Sequence, residues 1–416
     1  MENVTLCVPR PSSQQDPHKP VLARSQLPAK LEGNHVLIKV DKFGFSANNV
    51  TYQALGEAPH FRYFDFHPAP RVDEASPETH GVIPVWGFGT VVKSTHPRIQ
   101  PGERVYGYFA PTKYLLVPVS PADVNKYNFH IPRPHLPADR RPYNQVVRCA
   151  SDAQYDPSPI AEDLTMLYRP LFWTAFWCEN WLDAFSYRDA DSFLISSASA
   201  KTAFCLAYLI GKRKKTTGKS ITIVGLTSKG NVGFTRGLKL YDSVVNYDAL
   251  ESPGELKPST RKWLYIDVAG NDKLNERVSR HFSESGSLVA GIQLGLTNLS
   301  PSAPAASSTK FTTNTSLSAP APSKGPFEME QFFMPEWLAV QRTRLRVDEI
   351  TAMQATAWSE LMRDGRDWVR IEYVRGGIAV EQAYREVAQK GTDPTTGMVW
   401  SLWDGTEFDR KAASKL

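Results

Sequence analysis

The feature that most constrains the fold is a regular alternation of short apolar runs and helical segments in the middle of the chain. The apolar runs are Ser192–Ser196, Ile221–Leu226, Ser243–Tyr247, Trp263–Val268 and Gly286–Gly291. Helices are predicted over Thr202–Lys212 and near Asn231–Leu240, between the first three runs. Because strands that alternate with helices pair in parallel, this segment predicts a doubly wound α/β sheet.

The first third of the chain has a different pattern. The stretches His35–Val40, Gly89–Lys93 and Tyr114–Val119 alternate or are rich in β-branched residues, and no long helical pattern separates them. Short strands spaced by Gly and Pro predict a small barrel-like all-β domain. An apolar helix over Leu171–Phe185 is expected to connect it to the α/β segment.

The length and composition agree with two soluble domains. A chain of 416 residues is too long for one core. The net charge of +5 is too small, and too dispersed, to indicate a nucleic-acid partner. Four scattered cysteines (Cys7, Cys149, Cys178 and Cys205) form neither a disulfide framework nor a CxxC-type zinc site. Since there is no run of 18 apolar residues and no secretory signal, a cytoplasmic protein without a membrane partner is expected.

The last part of the α/β segment is interrupted by residues 298–326, a stretch dominated by Ser, Ala, Thr and Pro. Such a stretch buries too little apolar surface to order itself, so a flexible insertion is predicted, with a docking segment as the alternative. Further elements are expected after it, at Asp348–Arg363 (helix), Val369–Tyr373 (strand), Val380–Gln389 (helix) and Met398–Leu402 (strand).

A nucleotide site is predicted where the first apolar run meets its helix. The turn reads Ser196-Ser197-Ala198-Ser199-Ala200-Lys201-Thr202 and contains small residues but no glycine. A strand that opens directly into a helix presents N–H groups and the positive end of the helix dipole to a pyrophosphate. The alternative is a helix capped by Ser199 with no ligand.

The end of the next strand indicates which dinucleotide would bind. NAD-specific sites place an acidic residue there, which accepts a hydrogen bond from the ribose 2′-hydroxyl. This chain has Thr227, Ser228 and Lys229 instead, and hydroxyls with a cation suit a 2′-phosphate. NADPH is therefore favoured, although an ordinary turn can have the same sequence. The basic run Lys212–Lys215 is interpreted as a solvated helix end.

The order of motifs resembles the medium-chain dehydrogenase/reductase superfamily, in its zinc-independent quinone-oxidoreductase-like branch. Pro101–Gly107 is similar to the superfamily signature vGDrVyG, and Pro84–Val92 resembles the segment that ends in G-x-V-V. Arg169–Phe176 resembles the LPLxxLTAY helix, Asn246-Tyr247 the iNY motif, and Gly397–Trp400 the closing strand. Within the branch the chain looks closest to a domain-of-unknown-function family common in bacteria and fungi.

This resemblance implies a fold, a cofactor and a set of site residues. A GroES-like catalytic domain over residues 1–165, completed by 366–416, would accompany a Rossmann domain over 166–365. The resemblance places Thr174 beside the nicotinamide, Ser228 and Lys229 at the 2′-phosphate, and Tyr247 near the adenosine. The phosphate loop would use Ser197, Ser199, Ala200, Lys201 and Thr202. A cysteine zinc ligand and a four-Cys lobe, both features of zinc alcohol dehydrogenases, are absent, so a metal-free site is expected.

Catalytic candidates follow from the segment Gly44–Tyr52, which resembles the family's substrate loop and would face the cleft between the domains. Asn48, Asn49 and Tyr52 can donate hydrogen bonds to a developing oxyanion. The alternatives are a tyrosine packed on the rim and asparagines in turn conformations. The aromatic segment His60–His67 is interpreted as a substrate lid, and a zinc site on its two histidines is not supported.

Three functions remain open at this stage. The first is an NADPH-dependent reductase of an activated C=C or C=O bond in a small, mostly apolar molecule, acting as a monomer or homodimer. The second is a lyase, isomerase or C–C bond-cleaving enzyme that uses the same cleft. The third is a non-catalytic nucleotide sensor or scaffold, because a fold alone does not fix a function.

Overall fold

The computed structural model describes residues 1–59, 61–252, 256, 261–295 and 329–405. His60 and the predicted insertion over residues 298–326 therefore lie outside the described residues. The chain divides into two compact units. Unit 1 comprises Met1–Leu167 and the described residues from Thr351 onward, and unit 2 comprises the described residues between 168 and 350.

Unit 1 is rich in β-structure. Its strands are β1 (Glu2–Pro9), β2 (Val21–Gln26), β3 (His35–Phe45), β4 (His80–Gly81), β5 (Val85–Ser94), β6 (Arg104–Phe109), β7 (Tyr114–Pro118), β8 (Asn128–His130), β9 (Gln145–Arg148), β16 (Arg370–Arg375) and β17 (Thr396–Ser401). An eight-stranded sheet has the order β16-β17-β3-β5-β6-β9-β8, with β7 paired to β3, and a three-stranded sheet has the order β2-β1-β4. The helix α1 (Ala47–Ala54) follows β3, and α8 (Gly377–Lys390) lies between β16 and β17.

Unit 2 contains a six-stranded parallel sheet. Its strands are β10 (Ser192–Ile195), β11 (Thr222–Thr227), β12 (Ser243–Asn246), β13 (Trp263–Asp267), β14 (Leu288–Gln293) and β15 (Met329–Gln331). Their order in the sheet is β12-β11-β10-β13-β14-β15, and every pair is parallel. Numbered within the unit, this is the order 3-2-1-4-5-6 of the Rossmann fold. The predicted doubly wound parallel sheet is confirmed.

Three helices of unit 2 connect strands that follow one another in the chain, namely α3 (Lys201–Thr217), α4 (Val232–Gly237) and α5 (Asp272–Ser283). The helix α6 (Met334–Arg344) follows β15, the last strand of the sheet. Two further helices, α2 (Pro159–Ala184) and α7 (Val347–Asp364), each contain residues of both units. The predicted helix over Leu171–Phe185 therefore begins earlier, at Pro159. The predicted helix near Asn231–Leu240 is shorter, ending at Gly237.

Two elements depart from the sequence interpretation. The N-terminal residues, for which the sequence analysis predicts no strand, include β1, in which every residue from Asn3 to Pro9 is buried. The segment interpreted as a substrate loop instead forms α1, with Ser46 as its N-cap. The alternative interpretation, in which Asn48 and Asn49 adopt turn conformations, is therefore wrong, because both lie in the first turn of this helix.

A network of charged side chains lies within unit 1, where the first turns of α2 meet β3 and β6. The guanidinium of Arg104 donates two hydrogen bonds to Glu162, at 2.8 and 2.6 Å, and a further one to Asp41. Lys42 pairs with Glu162 at 3.1 Å and with Asp163 at 2.7 Å. The carboxylate side chains of Glu162 and Asp163 are only 8 and 1 % exposed. This network therefore joins three elements through charges that water barely reaches.

Candidate functional site

The turn between β10 and α3 is fixed to the central strand β13 by a buried serine. The hydroxyl of Ser196 donates to Asp267 at 3.0 Å and accepts from the backbone N–H groups of Val268 and Ala269. The other oxygen of Asp267 accepts from Asn275 at 2.8 Å. Ser196 and Asp267 are both fully buried. These bonds hold the carboxyl ends of the two central strands in register.

Sequence reasoning did not single out Asp267. Burial raises the pKa of its carboxyl group, although the surrounding hydrogen-bond donors act in the opposite direction. The signal that could have found it is its place, as a carboxylate that directly ends an apolar strand in Trp263–Asp267. Its hydrogen bonds make it a positioning residue for the loop above it.

Ser197 has a backbone conformation that favours glycine. Its φ is +47°, in the left-handed region. Its N–H donates to the hydroxyl of Tyr247 at 3.0 Å, so Tyr247 lies over the turn. The predicted site residues Ser197 and Tyr247 are thus brought together, although they are 50 positions apart in the chain.

The strain at Ser197 leads to a prediction about stability. Replacing Ser197 with glycine is expected to raise the free energy of unfolding by about 0.5 kcal/mol, because relief of the left-handed strain exceeds the added chain entropy. Replacing it with valine is expected to lower the same quantity by about 1–2 kcal/mol. Chemical denaturation of the two variants beside the wild type measures both. A glycine variant less stable than the wild type by about 1 kcal/mol or more would contradict the prediction.

The third residue of the turn packs against the neighbouring strand. Ala198 is fully buried, its N–H donates to the carbonyl of Leu226 at 3.1 Å, and its carbonyl accepts from Tyr241 at 2.8 Å. A Cβ at Gly225 would lie 2.8 Å from the Cβ of Ala198. The close packing that a glycine in the turn usually permits is therefore achieved by a glycine in the opposite strand β11 and an alanine in the turn.

The helix α3 begins without a side-chain cap. Its N-cap is Ala200, and the N–H of Phe204 donates to the Ala200 carbonyl at 3.0 Å. Ser199 does not cap the helix, because its hydroxyl accepts hydrogen bonds from Thr227 at 3.3 Å and Asn231 at 3.1 Å. The helix capped by Ser199, which was the ligand-free interpretation, is therefore wrong. The first turn of α3, which contains Lys201 and Thr202, offers N–H groups and the positive end of the helix dipole to an anion.

The carboxyl end of β11 lies next to this turn, since Thr227 bonds to Ser199. Thr227 is buried, whereas Ser228 and Lys229 are exposed. Neither of these two residues is a carboxylate, so no negative charge from this strand end opposes a 2′-phosphate. By contrast, two residues of the basic run Lys212–Lys215 in α3 form ion pairs within the protein. Arg213 pairs with Glu179 and Asp183, and Lys214 pairs with Asp242.

The residues of unit 2 fit an NADPH molecule in three respects. The turn is made of small residues, the long helix behind it has no side-chain cap, and a hydroxyl and a cation follow the end of the adjacent strand. Thr174 lies in α2, where its hydroxyl donates to the carbonyl of Pro170 at 3.2 Å. The structure places Thr174 on a helix of the same unit as the loop.

In unit 1 the three catalytic candidates lie in α1, within its first two turns. The side-chain amide of Asn48 donates to the hydroxyl of Tyr52 at 2.7 Å. The amide of Asn49 is used by the fold, because its oxygen accepts from the N–H of Ser46 at 2.9 Å and its nitrogen donates to Pro84 at 3.3 Å. Asn48 and Tyr52 therefore form a pair, and Asn49 holds the start of the helix.

Aromatic rings surround the Tyr52 side chain. Its ring stacks on that of Tyr63, with centroids 4.1 Å apart, and meets the ring of Tyr108 edge-on at 6.2 Å. Trp86 and Tyr143 adjoin Tyr108 at 5.0 and 5.3 Å. Burial raises the pKa of Tyr52, so this hydroxyl stays protonated at neutral pH.

Behind this aromatic cluster lies a buried pair that the sequence analysis did not connect. His67 contacts the carbonyl oxygen of Tyr108 at 3.0 Å and the guanidinium of Arg133 at 3.3 Å through its Nε2. Burial, followed by the Arg133 charge, lowers the pKa of His67 to about 3. His67 is therefore a neutral part of the core at physiological pH.

Among the described residues, no group of three or more His, Cys, Asp or Glu side chains is arranged to hold a metal ion. The described helices include none that is long and apolar enough to cross a membrane. The four cysteines are buried, and burial raises the pKa of Cys7 to about 12. A reactive thiolate in this position is excluded at neutral pH.

Comparison with known proteins gives a family and a fold. The family model described as "Protein of unknown function (DUF2855)" matches residues 43–393. No curated protein matches the sequence. Among solved structures, CurA of Vibrio vulnificus in complex with NADPH is similar, with 13 % identity, 96 % of this chain and 99 % of that chain covered, and a TM-score of 0.57.

A second similar structure is a point mutant of Etr1p in complex with NADP and crotonyl-CoA. It has 12 % identity, a TM-score of 0.54, and the same coverage of 96 % of this chain and 99 % of the other. At such identities the likeness concerns the fold. It confirms the expected combination of a GroES-like β-rich domain with a Rossmann domain, as in medium-chain reductases. The family model confirms the expected family of unknown function.

Proposed function

The chain belongs to the DUF2855 family, and from the geometry of its own residues we propose that it is an NADPH-dependent, metal-free reductase. The observation that carries the proposal is the turn between β10 and α3. It precedes a helix without a side-chain cap, and it contacts Thr227, the last residue of β11, which is followed by Ser228 and Lys229 and not by a carboxylate. The similar structures that contain NADPH or NADP support the same choice of cofactor.

The proposed cofactor contacts fall into three groups. The pyrophosphate lies on the turn and the first turn of α3, formed by Ser197, Ser199, Ala200, Lys201 and Thr202. The 2′-phosphate lies at the end of β11, near Thr227, Ser228 and Lys229. Tyr247 lies near the adenosine and Thr174 beside the nicotinamide, as the resemblance to medium-chain reductases implies.

The substrate class follows from the chemistry of the candidates in unit 1. When bound, NADPH supplies a hydride to an electron-poor carbon of a C=C or C=O bond and becomes NADP⁺, and one proton completes the reduction. Tyr52 then donates a hydrogen bond to the substrate oxygen, Asn48 orients the Tyr52 hydroxyl, and Asn49 fixes α1. The aromatic rings around Tyr52 suit a small, mostly apolar substrate.

We also assign the roles of the two domains. Residues 1–165, completed by 366–416, form the catalytic domain, and residues 166–365 form the nucleotide-binding domain. The compact units of the structure change at Leu167 and Thr351, close to the first boundary and somewhat before the second.

Titration with NADPH tests the proposal. The wild type is expected to enhance the cofactor's fluorescence and to bind NADPH more tightly than NADH. Replacing Lys229 with serine should weaken NADPH binding about 10-fold and leave NADH binding unchanged, because only NADPH carries the 2′-phosphate that the cation attracts.

The matched control is Lys215, an exposed lysine at the opposite end of α3. A helix of 17 residues is about 25 Å long, so serine at this position should leave the affinity for both cofactors unchanged. No binding of NADPH to the wild type at millimolar cofactor would overturn the proposal. Equal effects of the two substitutions would remove Lys229 from the site.

A further inference from the structure

The side chain of Ser199 carries a hydroxyl hydrogen that the described part of the protein does not use. Ser199 lies in the turn between β10 and α3 and is 8 % exposed. Its oxygen accepts hydrogen bonds from the hydroxyl of Thr227 at 3.3 Å and from the side-chain amide of Asn231 at 3.1 Å. A hydroxyl has one hydrogen and two lone pairs, so both lone pairs are occupied. The hydrogen is left to donate, and no described residue accepts it.

Asn231 does not have the usual role of an asparagine at the start of a helix. It is the N-cap of α4, a position where asparagine ordinarily accepts a hydrogen bond from an N–H group of the first turn. Here its side chain makes no such bond, and its amide nitrogen donates to Ser199 instead. Thr227 is 1 % exposed, so its bond to Ser199 satisfies a hydroxyl that water barely reaches. Two residues outside the turn thus fix the orientation of one serine hydroxyl.

Backbone N–H groups of the turn are already engaged within the protein. In a glycine-rich turn, such groups bind the pyrophosphate of a dinucleotide. Here the N–H of Ser197 donates to the Tyr247 hydroxyl at 3.0 Å. The further N–H groups that donate to backbone carbonyls are those of Ser196 (to Ile266, 2.9 Å), Ala198 (to Leu226, 3.1 Å) and Ala200 (to Ser197, 2.7 Å). A phosphate at this turn therefore needs a donor other than these N–H groups.

We propose that the Ser199 hydroxyl donates a hydrogen bond to a pyrophosphate oxygen of the cofactor, and that Asn231 is the positioning residue which, together with Thr227, orients it. This inference rests on the proposed reductase function and explains how a turn without glycine holds a dinucleotide. Ser199 directly precedes Ala200, the N-cap of α3, so the oxygen that accepts its hydrogen also lies at the positive end of the helix dipole. A hydrogen bond to such a charged oxygen is stronger than one between neutral groups.

Binding of two dinucleotides to two single variants tests the inference. NADPH and NADH share the pyrophosphate and differ in the 2′-phosphate, and fluorescence titration gives the dissociation constant of each. Ser199→Ala should weaken the binding of both about 10-fold, because a hydrogen bond to a charged group is lost. Asn231→Ala should weaken both about 3-fold, because the Ser199 hydroxyl is then no longer held in one orientation.

The double variant separates the orientation of Ser199 from a purely structural role of Asn231. If Asn231 acts through the Ser199 hydroxyl, its replacement has no further effect once that hydroxyl is gone. The variant with both Ser199→Ala and Asn231→Ala should therefore bind the two dinucleotides as the Ser199→Ala variant does. Independent effects, which would combine to a loss of about 30-fold, would overturn the inference.

Two fully buried hydroxyls of unit 2 provide matched controls. Ser192 lies at the amino end of β10 and donates to Asp191 at 2.8 Å. Thr235 in α4 donates to the backbone carbonyl of Asn231 at 2.8 Å, so it contacts the same residue without using its amide. Ser192→Ala and Thr235→Val should leave the affinity for both dinucleotides unchanged. A loss in Thr235→Val equal to that in Asn231→Ala would assign the effect to the fold of α4 and overturn the inference.

Inorganic pyrophosphate is the probe that separates this inference from the proposed function, because its binding requires no contact with adenosine or nicotinamide. In phosphorus NMR titrations, the wild type is expected to bind pyrophosphate, and the Ser199→Ala variant to bind it about 10-fold more weakly. That result, together with no NADPH binding by the wild type, would contradict the reductase and support the phosphate contact. NADPH binding that Ser199→Ala leaves unchanged, or weakens without any effect on NADH, would contradict only the role of Ser199.

Discussion

Replacing Arg104 with methionine is expected to lower the free energy of unfolding by about 3–5 kcal/mol. The substitution leaves Glu162 and Asp41 buried without their strongest partner, at side-chain exposures of 8 and 10 %. Although burial opposes it, Arg104 together with Lys42 holds the pKa of Glu162 below its ordinary value. Methionine fills a similar volume, so the loss reports the weakened pairing of the buried carboxylates rather than a cavity. Urea unfolding followed by circular dichroism measures it.

The control for Arg104 is the same substitution in an exposed pair. Arg24 binds Glu2 at 2.6 Å, but the two side chains are 59 and 50 % exposed. Methionine at Arg24 should change the free energy of unfolding by less than about 1 kcal/mol, because water solvates the remaining carboxylate. If the two substitutions lower the free energy of unfolding by the same amount, burial is not the reason why the network in unit 1 stabilises the fold.

Acidification is expected to destabilise unit 1 through His67. In the unfolded chain a histidine has a pKa of about 6.5, whereas burial and Arg133 lower that of His67 to about 3 in the folded protein. The contribution of His67 is therefore unchanged above the unfolded-state pKa and is lost as the pH falls toward the folded-state value. At pH values between these two pKa values, His67 is protonated in the unfolded chain and neutral in the folded protein. The expected loss is about 1.4 kcal/mol for each pH unit, or about 3 kcal/mol two units below the unfolded-state pKa.

The comparison that isolates His67 is a glutamine variant. Glutamine keeps a donor for the Tyr108 carbonyl and does not titrate. Urea unfolding at several pH values should give a steeper loss of stability for the wild type than for this variant. Burial also lowers the pKa of His80 and His130, so both proteins should retain a residual slope. Parallel profiles for the wild type and the variant would show that His67 is protonated in the folded state.

The position of the turn where we propose that NADPH binds was predictable from the sequence because its signals are local. A strand that is buried on both faces is a run of apolar residues, and its carboxyl end is marked where small and hydroxyl residues begin. Ser192–Ile195 and Thr222–Thr227 follow this rule, and the proposed phosphate contacts of unit 2 lie at the ends of these strands and in the turns that follow them.

The local signals failed to predict an element where it is short, as for β1, or where tertiary contacts stabilise it, as for α1. The strand β1 is apolar over only a few residues, and the polar Pro-rich residues that follow it hide it in any average over the first 24 positions. The segment at Ala47–Ala54 contains residues with modest helix propensity, yet it forms α1 because Ser46 and Asn49 cap it and the core buries one face.

The sequence by itself determined the two kinds of domain, their order along the chain, and the position of the turn where we propose that NADPH binds. These depend on periodicity and on residues within a few positions of one another. Only the tertiary structure decided that Asp267 anchors Ser196, that Tyr247 lies over Ser197, and that Tyr52, Tyr108 and Arg133 belong to one cluster. Those residues are tens of positions apart, and their contacts exist only after the sheets have formed and excluded water from between them.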